Sequence, residues 1–343
     1  MTTEDARPGL DGADATLPTR RSRRWLSHAI PWAITIACFA YLYTRVDAAA
    51  GPERSAFGYL ASIFASVSWT QWLLLMIPYS VLFLLIDTLV LWRVVNWFNA
   101  PIAYRELLPV RASAYIISIV NEQVGKGAIA LFLNRRHGVP GWQVGSSMLF
   151  IMFCEFYYLL TWALVGCLLT WEKLPDVFHV IPVVWILAAL FFVGFLAVFR
   201  SERFRGLRFR DRQLLHAFRQ ARPSHYLTVI ALRSPALLAA VFVYSQAAAL
   251  FGVDIPFVDM LGFLPVIFFG TLVPGPFRAV AVTMWPTLFP AHAGQLTAFG
   301  FVQHNFFVLF NAAIGLVFLR RVNREIALAA APPAPVAERA AEG

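Results

Sequence analysis

Two stretches place polar chemistry inside apolar segments long enough to cross a bilayer. Asn121-Glu122-Gln123-Val124-Gly125-Lys126-Gly127 interrupts the segment 107–133, and Pro274-Gly275-Pro276, followed by Arg278, interrupts the segment 260–289. Proline removes a backbone donor and glycine is a poor helix former, so a helix must break at each. Irregular backbone at membrane depth is tolerated only where protein or a polar cavity surrounds it. The tip of such a break offers free N–H groups and helix-end dipoles, which suit an anionic headgroup. Lys126 and Arg278 would add the cation that a phosphate needs, with Asn121, Glu122 and Gln123 as further polar contacts. The competing reading is that these side chains only satisfy the exposed backbone of the break.

A second set of ionisable residues lies inside the apolar segments themselves. Each costs roughly 2.5–3.5 kcal/mol at mid-helix on insertion scales, so each is expected to face a cavity or a partner. Glu155, thirteen residues past Trp142, is the most deeply placed carboxylate. It is expected to carry a coupling proton together with His304, or to pair with the cations of the breaks. Asp87 is counted with the coupling or cavity-lining residues; the competing reading is an interfacial ion pair with the nearby Arg93. Arg111, counted with the substrate contacts, and Arg233, counted with the cavity lining, each lie within about two turns of a segment end, where snorkelling would explain them. In the last apolar segment Gln303, His304, Asn305 and Asn311 form a polar stripe, which either lines the cavity or hydrogen-bonds between helices.

Catalytic signatures are absent. The sequence has no GxSxG elbow, no paired histidine ligands and no Gly-rich nucleotide loop, so no catalytic residue, metal or cofactor is assigned. Cys38, Cys154 and Cys167 lie in apolar blocks without CxxC spacing and read as small apolar residues. Trp25, Trp69, Trp72, Trp97, Trp142 and Trp171 flank the apolar segments and read as interface anchors.

The elements that must hold these residues follow from composition. Of 343 residues, 59% are hydrophobic and 14% charged, against about a quarter charged in soluble domains. The apolar residues fall in blocks at 25–43, 72–92, 107–133, 142–171, 181–199, 226–251, 260–289 and 296–319. A span needs roughly 20 such residues, so the fold class is an all-α polytopic membrane protein. The net charge of +9 is almost entirely arginine beside apolar blocks, which favours an anionic membrane surface over nucleic acid. The arginines before Trp25 raise a cleaved signal peptide as an alternative to an uncleaved first helix, but the run to Tyr43 is longer than a typical signal core of roughly 7–15 residues. Residues 1–24 and 321–343 read as loose tails around a transmembrane domain at 25–320.

Charge fixes the topology. The loop 200–222 is net +6, 20–24 is net +4 and 320–325 is net +2, whereas 172–180 and 252–259 are negative. Positive short loops mark the cytoplasmic side. If both broken segments spanned, the loop 200–222 would fall outside. All the charge signals agree when 107–133 and 260–289 enter and turn back from opposite sides. The expectation is about six full spans plus two opposed re-entrant hairpins, in a bacterial-type inner membrane with both termini cytoplasmic. Arms of about 14 and 7 residues are expected for the first hairpin. An offset of 150 sets Gly125 on Gly275 and Glu155 on Asn305, a weak inverted repeat.

Around the breaks the chain resembles the flippase-like transmembrane domain of lysylphosphatidylglycerol synthases, a family that also has stand-alone members. Asn121–Tyr158, NEQVGKGAIALFLNRRHGVPGWQVGSSMLFIMFCEFYY, resembles the family's Gly-containing break, basic His-Gly turn and acidic-residue-bearing helix, and Leu272–Val282, LVPGPFRAVAV, resembles its Pro-Gly break. Lys126 stands where members usually have an acidic residue, Glu155-Phe156 stands for an acidic-basic pair, and no aminoacyl-transferase domain is present. The resemblance implies a translocase for a lipid or lipid-linked glycan, without lysylphosphatidylglycerol synthesis. The alternatives are an intramembrane lipid-modifying enzyme or its non-catalytic membrane subunit, with a partner protein, and a small-solute transporter.

Overall fold

The computed structural model describes residues 20–118, 122–201, 212–272 and 278–330; within these, the side chains of 20–31, 117, 122–124, 126 and 323–330 fall outside the description. Every regular element among the described residues is a helix. They are α1 (Arg20–Ala50), α2 (Ala56–Ser66), α3 (Trp69–Phe98), α4 (Tyr104–Ser118), α5 (Glu122–His137), α6 (Gly141–Leu169), α7 (Ile181–Arg200), α8 (His216–Gln220), α9 (Pro223–Ala249), α10 (Phe257–Leu272), α11 (Ala279–Leu288) and α12 (Ala293–Ala330). Five stretches are long and apolar enough to cross a membrane: Trp69–Phe98, Gly141–Leu169, Asp176–Arg200, Pro223–Ala249 and Pro290–Val322. The chain is an all-α polytopic membrane protein. The expected first span, 25–43, lies within α1, whose side chains are described only from Trp32.

Both broken segments form helical hairpins. In the first, α4 packs along α5. Near the tip Gly125 lies against the Ala114 carbonyl and the Ser118 side chain, an approach that a β-carbon would block. At the base Glu106 meets His137 at 3.2 Å and Arg136 at 3.5 Å. The arms are therefore antiparallel, with 15 and 16 residues, not 14 and 7. The second arm is longer at both ends: Glu122–Gly127, expected to break the helix, lie inside α5, and the arm runs on through the polar Arg135–His137. In the second hairpin α10 packs along α11, with the Phe263 and Phe289 rings 4.6 Å apart at the base.

The long helices set the hairpins at opposite ends. α6 begins at the base of the first hairpin, and 25 residues later its Gly166 lies against Leu261 and Gly262 at the base of the second. α12 runs the other way. Its Gly300 lies against Trp285 of the second hairpin, and its Gly315 against the Ala112 backbone of the first. Helices α3 and α9 are antiparallel neighbours, joined by Tyr79 with Tyr244 and Phe98 with His225, and by Trp69 with Phe251 just past the end of α9.

This arrangement repeats along the chain. α3-α4-α5-α6 and α9-α10-α11-α12 share one order of long helix, two short arms and long helix. The contact of α10 with α6 has its counterpart in that of α4 with α12, and Ala112 lies 150 positions before Gly262. Small residues at both crossings let the backbones approach closely.

Other expectations need correction. α2 is an extra short helix that no expected segment covers. α1 begins at Arg20 and α12 continues to Ala330, so helix extends into both expected tails. Trp72 is 2% exposed and packs edge-on against Phe306 at 4.7 Å, so it is a core residue and not an interface anchor. Trp25 lies outside the described side chains.

Candidate functional site

The apolar interior has two large clusters and a small third one of Leu84, Ala112 and Tyr115. One cluster gathers Tyr79, Tyr158, Leu237, Tyr244 and Phe307 toward the base of the second hairpin. The other gathers Val90, Leu107, Ile151, Cys154 and Val229 toward the base of the first. Asp87, Glu155 and Arg233 fall between them, because each lies on a helix that contributes apolar residues to both clusters. A buried charge there has no water to turn to and must find a protein partner.

The partners form a four-residue network across four helices. Arg111 Nε of α4 donates to Asp87 Oδ2 of α3 at 2.5 Å, and Tyr115 OH donates to the same oxygen at 3.2 Å. Arg233 Nη2 of α9 faces Asp87 Oδ1 at 3.5 Å, and its Nη1 donates to Glu155 Oε1 of α6 at 3.1 Å. Tyr158 OH donates to the Arg233 carbonyl at 3.3 Å. Two carboxylates and two guanidiniums leave the network formally neutral. The Asp87 and Arg233 side chains are each 9% exposed and Arg111 is 15%, whereas Glu155 is 28% exposed and forms the open corner. The Nε of Arg233 is buried and has no partner among the described residues.

Two expectations are thereby overturned. Asp87 pairs with Arg111 and Arg233, not with Arg93, whose guanidinium lies over the Trp92 ring at 4.8 Å. Arg111 and Arg233 do not snorkel; they turn inward because the carboxylates are nearer than water. Glu155 and His304 take separate partners. His304 is 2% exposed and accepts from Trp285 Nε1 at 3.5 Å, while Glu155 is held by Arg233.

Arg278 sits at the tip of the second hairpin, where the described chain resumes before α11. Its backbone is left-handed, with φ 49° and ψ 37°. This conformation costs a non-glycine residue roughly 1–2 kcal/mol. Its guanidinium lies over the Phe307 ring of α12 at 5.7 Å. No carboxylate among the described residues pairs with it. The Phe307 ring touches Phe83 at 4.7 Å, one turn from Asp87 on α3, so Arg278 and the network flank one aromatic step.

The polar stripe of α12 divides. Gln303 is buried and donates through Nε2 to Tyr244 OH. Asn311 is buried and donates to the Phe307 carbonyl at 2.8 Å. Asn305 turns onto its own helix, donating to the Phe301 carbonyl at 2.7 Å, and stays outside the network. Asn121 lies outside the described residues, as do the side chains of Glu122, Gln123 and Lys126. The structure adds Tyr115 and Tyr158 to the site. Sequence reading passed over them because a tyrosine inside an apolar helix looks like packing until its hydroxyl has a carboxylate or carbonyl to meet.

An apolar cavity of about 320 Å³ opens between α5 and α6, lined by Gly127, Gly145, Met148, Met152 and Leu214. It begins within two turns of the start of α5. No protein-family model, curated protein or solved structure matches the chain.

Proposed function

We propose that the protein translocates a lipid or lipid-linked glycan with an anionic headgroup between membrane leaflets. The observation that carries this reading is Arg278, a cation at the tip of a hairpin inside the bundle, with no described carboxylate to neutralise it. A charge in such a place costs several kcal/mol unless a partner arrives, and a phosphate is the membrane's most abundant anionic group. The strained backbone at Arg278 fits the same reading, since strain of this kind is retained where surrounding structure demands a particular side-chain position. The apolar cavity beside α5 suits an acyl chain near the other hairpin. The resemblance to the flippase-like domain of lysylphosphatidylglycerol synthases points the same way.

In this reading the charge of the loops orients the chain. The base of the first hairpin, the loop 200–222 and both termini face the cytoplasm of a bacterial-type cell. An intramembrane enzyme using Glu155 and His304 as an acid–base pair is less well supported, because those groups take different partners. The test is reconstitution into vesicles with fluorescent lipids of differing headgroup, scored by quenching of the outer leaflet. Wild-type protein should accelerate exchange of an anionic lipid over a zwitterionic one, and Arg278→Ala and Lys126→Ala should slow it. Exchange no faster than in empty vesicles for every headgroup class sinks the proposal.

A further inference from the structure

The Arg233–Glu155 pair has the features of an exchangeable bond. A guanidinium carries five N–H donors in a planar fork that matches carboxylate and phosphate alike. Arg233 uses that fork poorly. Nη1 reaches Glu155 at 3.1 Å, Nη2 faces Asp87 at 3.5 Å, beyond a good hydrogen bond, and Nε is buried with no partner among the described residues. Asp87 is held more closely by Arg111 and Tyr115 than by Arg233. Arg233 is therefore under-coordinated inside a neutral network, and its partner Glu155 is the most exposed member.

We propose that Glu155 is a placeholder for a ligand, and that Arg233 is a phosphate station for the anionic lipid. This inference rests on the translocation reading. The lipid phosphate displaces Glu155 Oε1 from Nη1 and takes over its charge-assisted contact. Glu155 is free to leave because its outer side is open. Its departure also prevents the network from gathering three negative groups around two cations. Asp87 stays, locked by Arg111 and Tyr115, and keeps Arg233 in place when Glu155 withdraws. Arg278 across the Phe307–Phe83 step and Arg233 then offer successive cationic stations along the bundle.

Binding of dihexanoyl phosphatidic acid to the purified detergent-solubilised protein tests this, with dihexanoyl phosphatidylcholine and inorganic phosphate as the comparison probes. Removing the competing carboxylate in Glu155→Gln should tighten binding of the phosphatidic acid about tenfold and raise its thermal stabilisation of the protein. Adding Arg233→Gln should abolish the gain. A folded Glu155→Gln protein with no gain overturns the proposal. If that variant does not fold, Glu155→Asp, which keeps the charge and shortens the reach, should show a smaller gain, and the absence of one overturns it equally. A gain as large for inorganic phosphate overturns the lipid as its source. Lipid exchange by wild-type vesicles with no gain in Glu155→Gln removes the placeholder alone, whereas the gain without any exchange removes the translocase reading alone.

Discussion

At the scale of single residues, Asp87 is the hinge of the charge network. It accepts from Arg111 and Tyr115 and faces Arg233, so three groups depend on it. Asp87→Asn leaves two guanidiniums with one carboxylate in a dry interior. Breaking one side of a buried ion pair costs about 3–5 kcal/mol, and a marked fall in the detergent melting temperature is expected. Arg93→Ala should leave the melting temperature within a degree or two, because Arg93 is exposed over Trp92. Equal losses in the two variants would restore the Asp87–Arg93 pair that proximity in sequence suggests. The need for partners was legible in the sequence, since a charge within an apolar block demands one. Their identity was not, because Arg111 is 24 residues from Asp87 and Arg233 is 78 from Glu155. Arg278 gives an opposite signature. Arg278→Gly should stabilise the fold by about 1 kcal/mol, because glycine adopts the left-handed backbone without cost, while slowing anionic lipid exchange. A variant that loses stability would show that the Phe307 contact outweighs the backbone strain.

At the scale of elements, the two interrupted segments were legible, but Gly125 and Gly127 lie inside α5, and Pro274–Pro276 fall outside the described residues. Pro274-Gly275-Pro276 cannot continue a helix whatever surrounds it. The lengths of the arms were not legible, because α5 starts at Glu122, inside the expected break, and ends in the polar Arg135–His137, of which Arg136 and His137 meet Glu106 on the other arm. What holds the hairpins in place is small residues at crossings, and sequence alone does not say which glycines lie at one. Gly315→Leu puts a side chain into the Ala112 backbone of α4. Overpacking of this kind costs about 1–3 kcal/mol or more, so a lower melting temperature is expected. Gly194→Leu on α7 meets nothing within 4 Å and replaces a poor helix former, so stability should hold or rise. Gly145→Leu should also fold, since its nearest neighbour at the new β-carbon is Leu214 at 3.8 Å, and it fills the apolar cavity beside α5. Slower lipid exchange in a stable Gly145→Leu protein is the outcome expected if an acyl chain uses that cavity; unchanged exchange removes the cavity from the mechanism.

At the scale of the molecule, the opposed hairpins decide how the charged loops face the membrane. The contacts at Glu106–His137 and Phe263–Phe289 close each hairpin at its base, and α6 and α12 run between those bases in opposite directions. Each hairpin therefore returns the chain to the end of the bundle from which it entered. Single cysteines in a background with Cys38, Cys154 and Cys167 changed to Ala make this measurable. Ala100→Cys and Pro140→Cys flank the first hairpin; Asp254→Cys and His292→Cys flank the second. A membrane-impermeant maleimide should label both members of a pair from one side and neither from the other. The first pair should react in inverted vesicles and the second in intact spheroplasts, with Ser201→Cys, beside the arginine-rich loop, following the first. If α4 and α5 together crossed the bilayer as one kinked span, Ala100→Cys and Pro140→Cys would label from opposite sides. Ser201→Cys would then face outward with eight arginines in its loop, against the rule that positive loops stay inside. The labelling of Pro140→Cys separates these arrangements, because that residue changes sides while Ala100 does not.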